Sequence, residues 1–355
     1  QPVLCPASHY CPEGSAEPLP CPPAHVCKGQ DLEALLVPLV AGVFHTVVVS
    51  NLGQIWAAGL NDDGQLGTGD NERQHAFVHV KVGCQKIVAV AAGTHHTAAI
   101  TDSGELWTWG RDDAGQLGVG DTDNCYAPVK VCVNDQKFVT VAAGDGHTAA
   151  ITDSGELWTW GANGAGQLGM RATLFYRHPP GKVSVNGQKI LAVAAGEAHT
   201  AAITDTGELW TWGGNGDSQL GTGDTKDRHA PVKVSVNGQK IVAVATATCH
   251  TAAVTASGEL WTWGGNGDSQ LGTGDTKDRH APVKVSVNGQ KIVAVAAGTY
   301  HTAVVTDSGE LWTWGSRNFG QLGAGDTMER PLPVKAAAPP SLNGGGVVSE
   351  AHFEV

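Results

Sequence analysis

The chain is short of positive charge. Its 355 residues hold 22 Lys and Arg against 34 Asp and Glu, a formal net charge of −12, and no basic run stands anywhere along it. A protein that grips nucleic acid through phosphates needs a surplus of cations, so DNA, RNA and an anionic membrane surface are not expected partners. Long apolar runs are lacking as well. The most apolar stretch, Ala34 to Phe44, is too short to cross a bilayer and contains Pro38, so no membrane insertion is expected. No export signal is visible: Gln1 leads directly into a Cys-Pro segment, which implies that any signal has been removed or lies outside the chain. No N-x-S/T sequon occurs, so N-glycosylation is not expected. No G-x-S-x-G elbow, no H-E-x-x-H and no isolated Ser/His/Asp or Cys/His constellation appears. The glycines at Gly64, Gly67 and Gly69 lack the following helix and the Lys of a phosphate loop, and read as turn glycines. A carbohydrate-active enzyme of repeated architecture would show acids peculiar to one repeat and converging on an axis, and none is seen. The chain reads as a non-enzyme with no cofactor, no metal and no catalytic residue.

What is abundant is glycine (48) and, for a chain with only 6 Phe and 4 Tyr, tryptophan (11). With plentiful Val, Thr and Ala, this suits many short strands joined by tight turns. The tryptophans are periodic. Gly-Glu-Leu-Trp-Thr-Trp-Gly occurs at Gly104–Gly110, Gly155–Gly161, Gly207–Gly213, Gly258–Gly264 and Gly309–Gly315, with a degenerate copy at Gly53–Gly59 where Ala58 replaces the second Trp. The motif tryptophans are Trp107 and Trp109, Trp158 and Trp160, Trp210 and Trp212, Trp261 and Trp263, and Trp312 and Trp314. Segments 208–245 and 259–296 are identical. Six units of about 51 residues therefore do one structural job repeatedly.

One unit reads as four strands: Lys86–Ala92, His96–Thr101, Glu105–Trp109 and, after a Gly-rich loop over Gly110–Asp121, Pro128–Val133. Asp-Ser-Gly at 102–104 makes a tight turn in which Gly104 supplies a positive φ. Alternation puts Val129, Val131 and Val133 on one face of the fourth strand and Lys130 and Cys132 on the other, and Pro128 suits an outer edge. Ala-rich first and second strands fit the crowded axis of a ring of wedges, and the Trp-bearing third strand fits the wide gap between neighbours. The predicted fold is all-β: a β-propeller of six recognisable four-stranded blades, the seventh atypical or missing, over 31–335. A cysteine-rich module precedes it over 1–30, and a Pro/Gly-rich exit linker with room for an extra strand follows over 336–355.

The pattern Ala-Gly-x-x-His-Thr-Ala-x-x-Thr-x-x-Gly-x-x-Trp-x-Trp-Gly-x-Asn-x-x-Gly-Gln-Leu-Gly-x-Gly-Asp resembles the regulator of chromosome condensation (RCC1-type) repeat. The resemblance covers roughly residues 36–335 and implies a propeller, usually of seven blades. It also implies activities known in the family: nucleotide exchange on a small GTPase, chromatin binding, or light sensing through Trp in a Gly-Trp-Arg-His-Thr motif. The corresponding pairs here are Val43-Phe44, Thr94-His95, Asp145-Gly146, Glu197-Ala198, Thr248-Cys249 and Thr299-Tyr300, none with Trp.

Cys5, Cys11, Cys21 and Cys27 are spaced C-x5-C-x9-C-x5-C among Pro, Gly and Ser. So few apolar residues cannot form a core, and disulfides are favoured over a zinc site, which prefers C-x2-4-C spacing. The segment resembles the short cysteine-rich module of ephrin-receptor-like (GCC2/GCC3-type) ectodomains, through Cys-Pro-Ala-x-x-Tyr-Cys-Pro-Glu-Gly-Ser. Disulfides imply an oxidising compartment, so the expected location is extracellular or at the cell surface. The expected function is a structural or protein-binding scaffold module in a larger surface protein or fibrous assembly. The alternative is an intracellular regulatory binding protein, a GTPase exchange factor or chromatin-associated propeller. The expected partners are other protein subunits or domains, self-assembly included. Hydroxylation of Ala-Pro-Pro-Ser would allow O-linked glycans near Pro339, Pro340 and Ser341; otherwise that stretch is a plain spacer.

Three further groups are candidates. His45, His96, His147, His199, His250 and His301 each precede Thr in register; a ring of imidazoles would hold a metal or sense pH, whereas the simpler reading has His and Thr satisfying backbone groups at a strand start. Asp62, Asp63 and Asp70, or Asp112, Asp113 and Asp121, cluster acids near Gly without the ordered spacing of a calcium loop, and the Asp of Gly-x-Gly-Asp more simply caps a turn. Cys84 with Cys125 or Cys132 is a candidate bridge between units.

Overall fold

The computed structural model describes residues 9–10, 19–20, 39–83, 85–120, 122–170, 178–318, 320–323 and 330–336. The chain divides into two units, Gln1–Leu36 and Val37–Val355. In the first, β1 (His9–Tyr10) pairs antiparallel with β2 (Leu19–Pro20). The four cysteines expected to staple this segment lie outside the described residues, so neither the ephrin-receptor-like module nor its disulfides gains structural support.

The second unit is all β among the described residues: six four-stranded antiparallel sheets in chain order. Blade 1 is β3 (Leu39–Ala41), β4 (His45–Val49), β5 (Ile55–Gly59) and β6 (Gln74–Val80); blade 2 is β7 (Ile87–Ala92), β8 (His96–Thr101), β9 (Leu106–Gly110) and β10 (Cys125–Val131). Blade 3 is β11 (Phe138–Ala143), β12 (His147–Thr152), β13 (Leu157–Gly161) and β14 (His178–Val183); blade 4 is β15 (Ile190–Ala195), β16 (His199–Thr204), β17 (Leu209–Gly213) and β18 (Arg228–Val234). Blade 5 is β19 (Ile241–Thr246), β20 (His250–Thr255), β21 (Leu260–Gly264) and β22 (Arg279–Val285); blade 6 is β23 (Ile292–Gly298), β24 (His301–Thr306), β25 (Leu311–Gly315) and β26 (Arg330–Lys335). No helix long and apolar enough to cross a membrane occurs among the described residues.

Strands meander from the first, which touches its counterpart in the next blade, to the fourth at the rim. The 101–105 turn closes with the Gly104 amide donating to the Thr101 carbonyl, and Gly104 has φ +84°. The rim strand starts earlier than the alternation predicts, at Cys125, with a register break between Cys125 and Val129 that accommodates Pro128. That break leaves Val129 36% exposed while Val131 and Val133 are buried. Cys132 is an exposed free thiol, so it forms no bridge between blades; Cys84 lies outside the described residues.

The core lies between blades rather than inside one. Ala98, Ile100, Leu106, Val131 and Val133 of blade 2 pack against Phe138, Val141, Ala150 and Trp160 of blade 3, and equivalent clusters fill the other successive junctions. The second tryptophan of each complete motif, Trp109, Trp160, Trp212, Trp263 and Trp314, is fully buried, and the first is partly buried against the same cluster. Burying one indole removes on the order of 200 Å² from water, so these side chains supply much of the adhesion between blades.

Candidate functional site

Each junction is held by a clasp built from three parts of the repeat. The Gln carbonyl of the Gln-Leu-Gly turn accepts two hydrogen bonds from the next blade. At the first junction, Gln65 O accepts from Thr97 Oγ1 at 2.7 Å and from Trp109 Nε1 at 2.9 Å. Leu66 fills the gap behind it, fully buried, and Gly67 (φ +76°) leaves room for the indole: a Cβ there would lie 2.8 Å from Trp109 Nε1. The side chain of Asn61 fixes the turn by accepting from the Leu66 amide at 2.9 Å. The same bonds recur at Gln116, Gln167, Gln219 and Gln270.

The histidines complete the clasp across the blades. His45 Nε2 lies 2.8 Å from Thr97 Oγ1, and His96, His147, His199 and His250 meet Thr148, Thr200, Thr251 and Thr302 in the same way at 2.9 Å. Since the Thr hydroxyl proton is committed to the Gln carbonyl, Nε2 is the donor. That leaves Nδ1 as a bare acceptor, buried and without a partner in His45, His96, His147, His199 and His250. Burial holds these rings well below the usual imidazole range, to about 4 in His45 and His147 and about 3 in His96, His199 and His250. The His-Thr pairs therefore do more than satisfy their own strand starts: each His reaches the Thr of the following blade.

The loop acids point to separate tasks. Asp62 pairs with exposed Arg73, Asp63 with His95, and Asp113 with Arg111. Asp70 closes its own turn, accepting from Thr68 Oγ1 at 2.7 Å and the Glu72 amide at 3.1 Å. Asp112 is buried and accepts from the Leu117 amide at 2.7 Å. Asp121 lies outside the described residues. No group of three His, Cys, Asp or Glu among the described residues is placed to hold a metal ion.

One face of the disc is built from the two loops that flank the His strand and the Trp strand. They are tied together by one backbone bond per blade: Leu60 N to Phe44 O, Arg111 N to His95 O, Ala162 N to Gly146 O, Gly214 N to Ala198 O, Gly265 N to Cys249 O and Ser316 N to Tyr300 O. The units are otherwise near-identical, yet the two residues ahead of each His differ from blade to blade. Val43 and Phe44 are 51% exposed and Tyr300 45%. Phe44 packs against His95 with the rings tilted by 43° and 5.7 Å between centroids, and His95 Nδ1 meets Asp63 at 3.0 Å. Blades 3 to 5 present acids. Burial, then the neighbouring charges of Asp145 and Asp217, raise the Glu197 carboxyl above the usual carboxylate range. Asp145, Glu197, Asp217 and Asp268 form no ion pair among the described residues.

The motif search missed this acidic arc, because its members come from different repeats and different loops. The readable signal was the variable pair ahead of His, where Asp145 and Glu197 each occur in a single blade. Cys249, half-buried, lies on the same face. Burial pushes its thiol up to about 11, and Gln270 Nε2 donates to its Sγ at 3.2 Å.

Comparison with known proteins follows this geometry. The RCC1-like domain model matches residues 13–350. The ultraviolet-B receptor UVR8 of Arabidopsis thaliana is 36% identical over 304 residues, covering 84% of this chain and 69% of that protein. The mitochondrial RCC1 domain-containing protein RUG3 of the same plant is 33% identical over 308 residues, covering 82% and 68%. The crystal structure of Prp20p from Saccharomyces cerevisiae, described with its binding to Gsp1p and histones, superposes with a TM-score of 0.75 at 24% identity, over 85% of this chain and 77% of that one.

These relatives overturn the extracellular or cell-surface placement. RUG3, 33% identical over 82% of this chain, is a mitochondrial protein. The placement had rested on disulfides at Cys5, Cys11, Cys21 and Cys27, for which the structure offers no support. With it go the grounds for a surface scaffold, for a fibrous self-assembly and for glycans near Pro339, Pro340 and Ser341, which lie outside the described residues.

Proposed function

The chain belongs to the RCC1-like domain family, and from that premise we propose that it is a non-catalytic regulatory binding module of the cell interior whose acidic face takes a basic protein segment. The observation that carries this reading is the group of Asp145, Glu197, Asp217 and Asp268 on one face, none in an ion pair among the described residues, with burial and the charges of Asp145 and Asp217 raising the Glu197 carboxyl. A ligand bearing Lys or Arg relieves that repulsion, and complementary charge speeds and orients the encounter. The net charge of −12 acts in the same direction at long range. Prp20p is described as binding histones, which are basic proteins, and the same chemistry suits this face. Val43, Phe44 and Tyr300 add exposed apolar surface for an anchoring side chain.

Among the described residues of this face, burial raises the Cys249 thiol to about 11 and His250 is turned inward onto Thr302. A fluorescent Lys/Arg-rich peptide titrated into the full chain tests the proposal. It should bind, weaken as salt rises, and lose at least tenfold in affinity when Asp145→Asn, Glu197→Gln and Asp217→Asn are combined. Equal affinity for the triple variant would discard this face as the binding site.

A further inference from the structure

The first strand of every blade from 2 to 6 carries the same irregularity. Ile87 pairs with Thr101 and Ala89 with Ile100, so Val88 is one residue too many and bulges out of the ladder. The break recurs at Val139, Leu191, Val242 and Val293. Each bulged residue is a branched aliphatic, and all five are between 49% and 62% exposed. The first strands of successive blades touch one another, so the five side chains follow one arc along the innermost strands. They stand at the strand end that pairs with Thr101 and its counterparts, away from His96 and the acidic loops. A contiguous apolar surface of this kind, repeated blade after blade, marks a place where another molecule sits.

Around the arc run charges of both signs in alternation. The Asp153 amide donates to the Lys137 carbonyl of its own blade at 2.9 Å, and Lys137 also packs on the 102–104 turn of the blade before, where a Cβ at Gly104 would lie 2.9 Å from its Cβ. The same two contacts place Lys189 between Asp153 and Asp205. Asp102, Lys137, Asp153, Lys189, Asp205 and Lys240 therefore follow one another from blade to blade. Ala256 then interrupts the series, and Lys291 and Asp307 resume it. These Lys and Asp are exposed, and none forms an ion pair among the described residues. The next charges outward are already paired within the chain, Lys130 with Glu105 and likewise in the four later blades.

We propose that this turn face docks a second copy of the chain, with the two aliphatic arcs in contact and each lysine of one copy over an aspartate of the other. The argument is charge complementarity. Turning one copy over and offsetting it by half a blade sets Lys on Asp along the alternating stretch, the self-matching surface that a two-fold interface requires. A uniformly acidic or basic partner would meet like charge at every second position, whereas a second copy meets opposite charge at each. The aliphatic side chains supply the apolar centre and the alternating charges the polar rim. The acidic loop face lies at the other end of the blades and stays free, so this inference does not rest on the binding of a basic segment there.

Sedimentation of the full chain at about 0.1 mM should show a monomer–dimer equilibrium that moves toward monomer as salt rises. Combining Lys137→Glu, Lys189→Glu and Lys240→Glu makes the stretch all acidic and should weaken the dimer at least tenfold. Combining Asp102→Lys, Asp153→Lys and Asp205→Lys makes it all basic and should do the same. Mixed in equal amounts, the two variants should form a mixed dimer, which also shows that both are folded. Leu191→Asp, at an exposed position, is an independent check and should weaken the dimer at least tenfold with unchanged circular dichroism. Asp145→Asn, Glu197→Gln and Asp217→Asn combined should leave the dimer as tight as in the parent, so failure of this proposal and failure of the loop-face reading are told apart. A chain that stays monomeric at that concentration overturns the proposal. So does an all-acidic variant or Leu191→Asp that dimerises like the parent, a mixture in which the two folded variants stay apart, or a dimer that the loop-face substitutions abolish.

Discussion

Trp160 of blade 3 donates its indole N–H to the carbonyl oxygen of Gln116 of blade 2 at 2.9 Å, the oxygen that also accepts from Thr148 at 2.7 Å. One carbonyl thus binds two elements of the following blade, and the ring that reaches it is fully buried. The contact is at once apolar and polar, so its two parts respond separately to substitution.

Trp160→Ala should destabilise the protein by about 3–5 kcal/mol, the usual cost of emptying a large aromatic site. Trp160→Phe should cost less, keeping much of the packing but leaving Gln116 O with one donor fewer. Trp158→Ala, at a half-buried ring, should cost less than Trp160→Ala. Urea unfolding of the three variants orders them; equal midpoints for Trp158→Ala and Trp160→Ala would contradict the clasp.

The glycines of the same loop separate steric need from backbone need. Gly118 has φ +72°, and a Cβ would lie 2.8 Å from Trp160 Nε1; Gly120 has φ +93° with nothing within 4 Å. Both Ala variants carry the strain of a left-handed backbone, about 1 kcal/mol, but only Gly118→Ala also expels the indole. Gly118→Ala should therefore lower the melting temperature well beyond Gly120→Ala. The reverse order would show that the turn, and not the indole, selects glycine at 118.

Much of this was legible in the sequence. The Gly-Glu-Leu-Trp-Thr-Trp-Gly strand and the Gln-Leu-Gly turn announce blades because their letters repeat at one period, and glycine, tryptophan and alternation each carry a local rule. The clasp was not legible. His45 is adjacent to Thr46 in the chain but bonds Thr97, 52 positions away, and only packing of successive blades brings them together. Nor was the exposure on blade 6. Leu311 and Leu106 sit in the same seven-residue motif, yet one is 42% exposed and the other 1%; the difference lies in what stands beside the sheet. Compartment was misread for a related reason: four cysteines spoke through their spacing, outside the described fold, while the propeller that fills most of the chain carried the family.

Thiol chemistry should divide the cysteines by environment. Cys132 is exposed, whereas burial pushes the Cys249 thiol up to about 11. In native protein at pH 8, iodoacetamide should modify Cys132 many-fold faster than Cys249, with the difference disappearing in urea. Peptide mass mapping of a time course reads both rates, and rapid modification of native Cys249 would contradict its half-buried, protonated state.

The histidine clasp makes stability depend on acid in a definite direction. In the folded protein five rings are held at about 3 to 4, while in the unfolded chain they return to the ordinary value of 6.5. The unfolded state therefore takes up protons first, and stability that is fully present above pH 6.5 is lost as pH falls toward 4, by up to about 1.4 kcal/mol per pH unit for each ring. The cause is burial, which penalises the charged imidazolium, and the Nδ1 that protonation would fill has no hydrogen-bond partner. Asp224 and Asp275, held at about 2 by Arg228 and Arg279, shed their contribution only below the usual Asp range, so they do not mask the upper window. Calorimetry from pH 7.5 to 4.5 should show the melting temperature falling steeply below 6.5. His147→Gln should be less stable at pH 7.5 yet flatter with pH, since it removes one of the rings that titrate. A melting temperature constant from 7.5 to 5 would mean that the imidazoles accept protons within the folded ring, and the assignment of Nε2 as donor to Thr200 would fall with it.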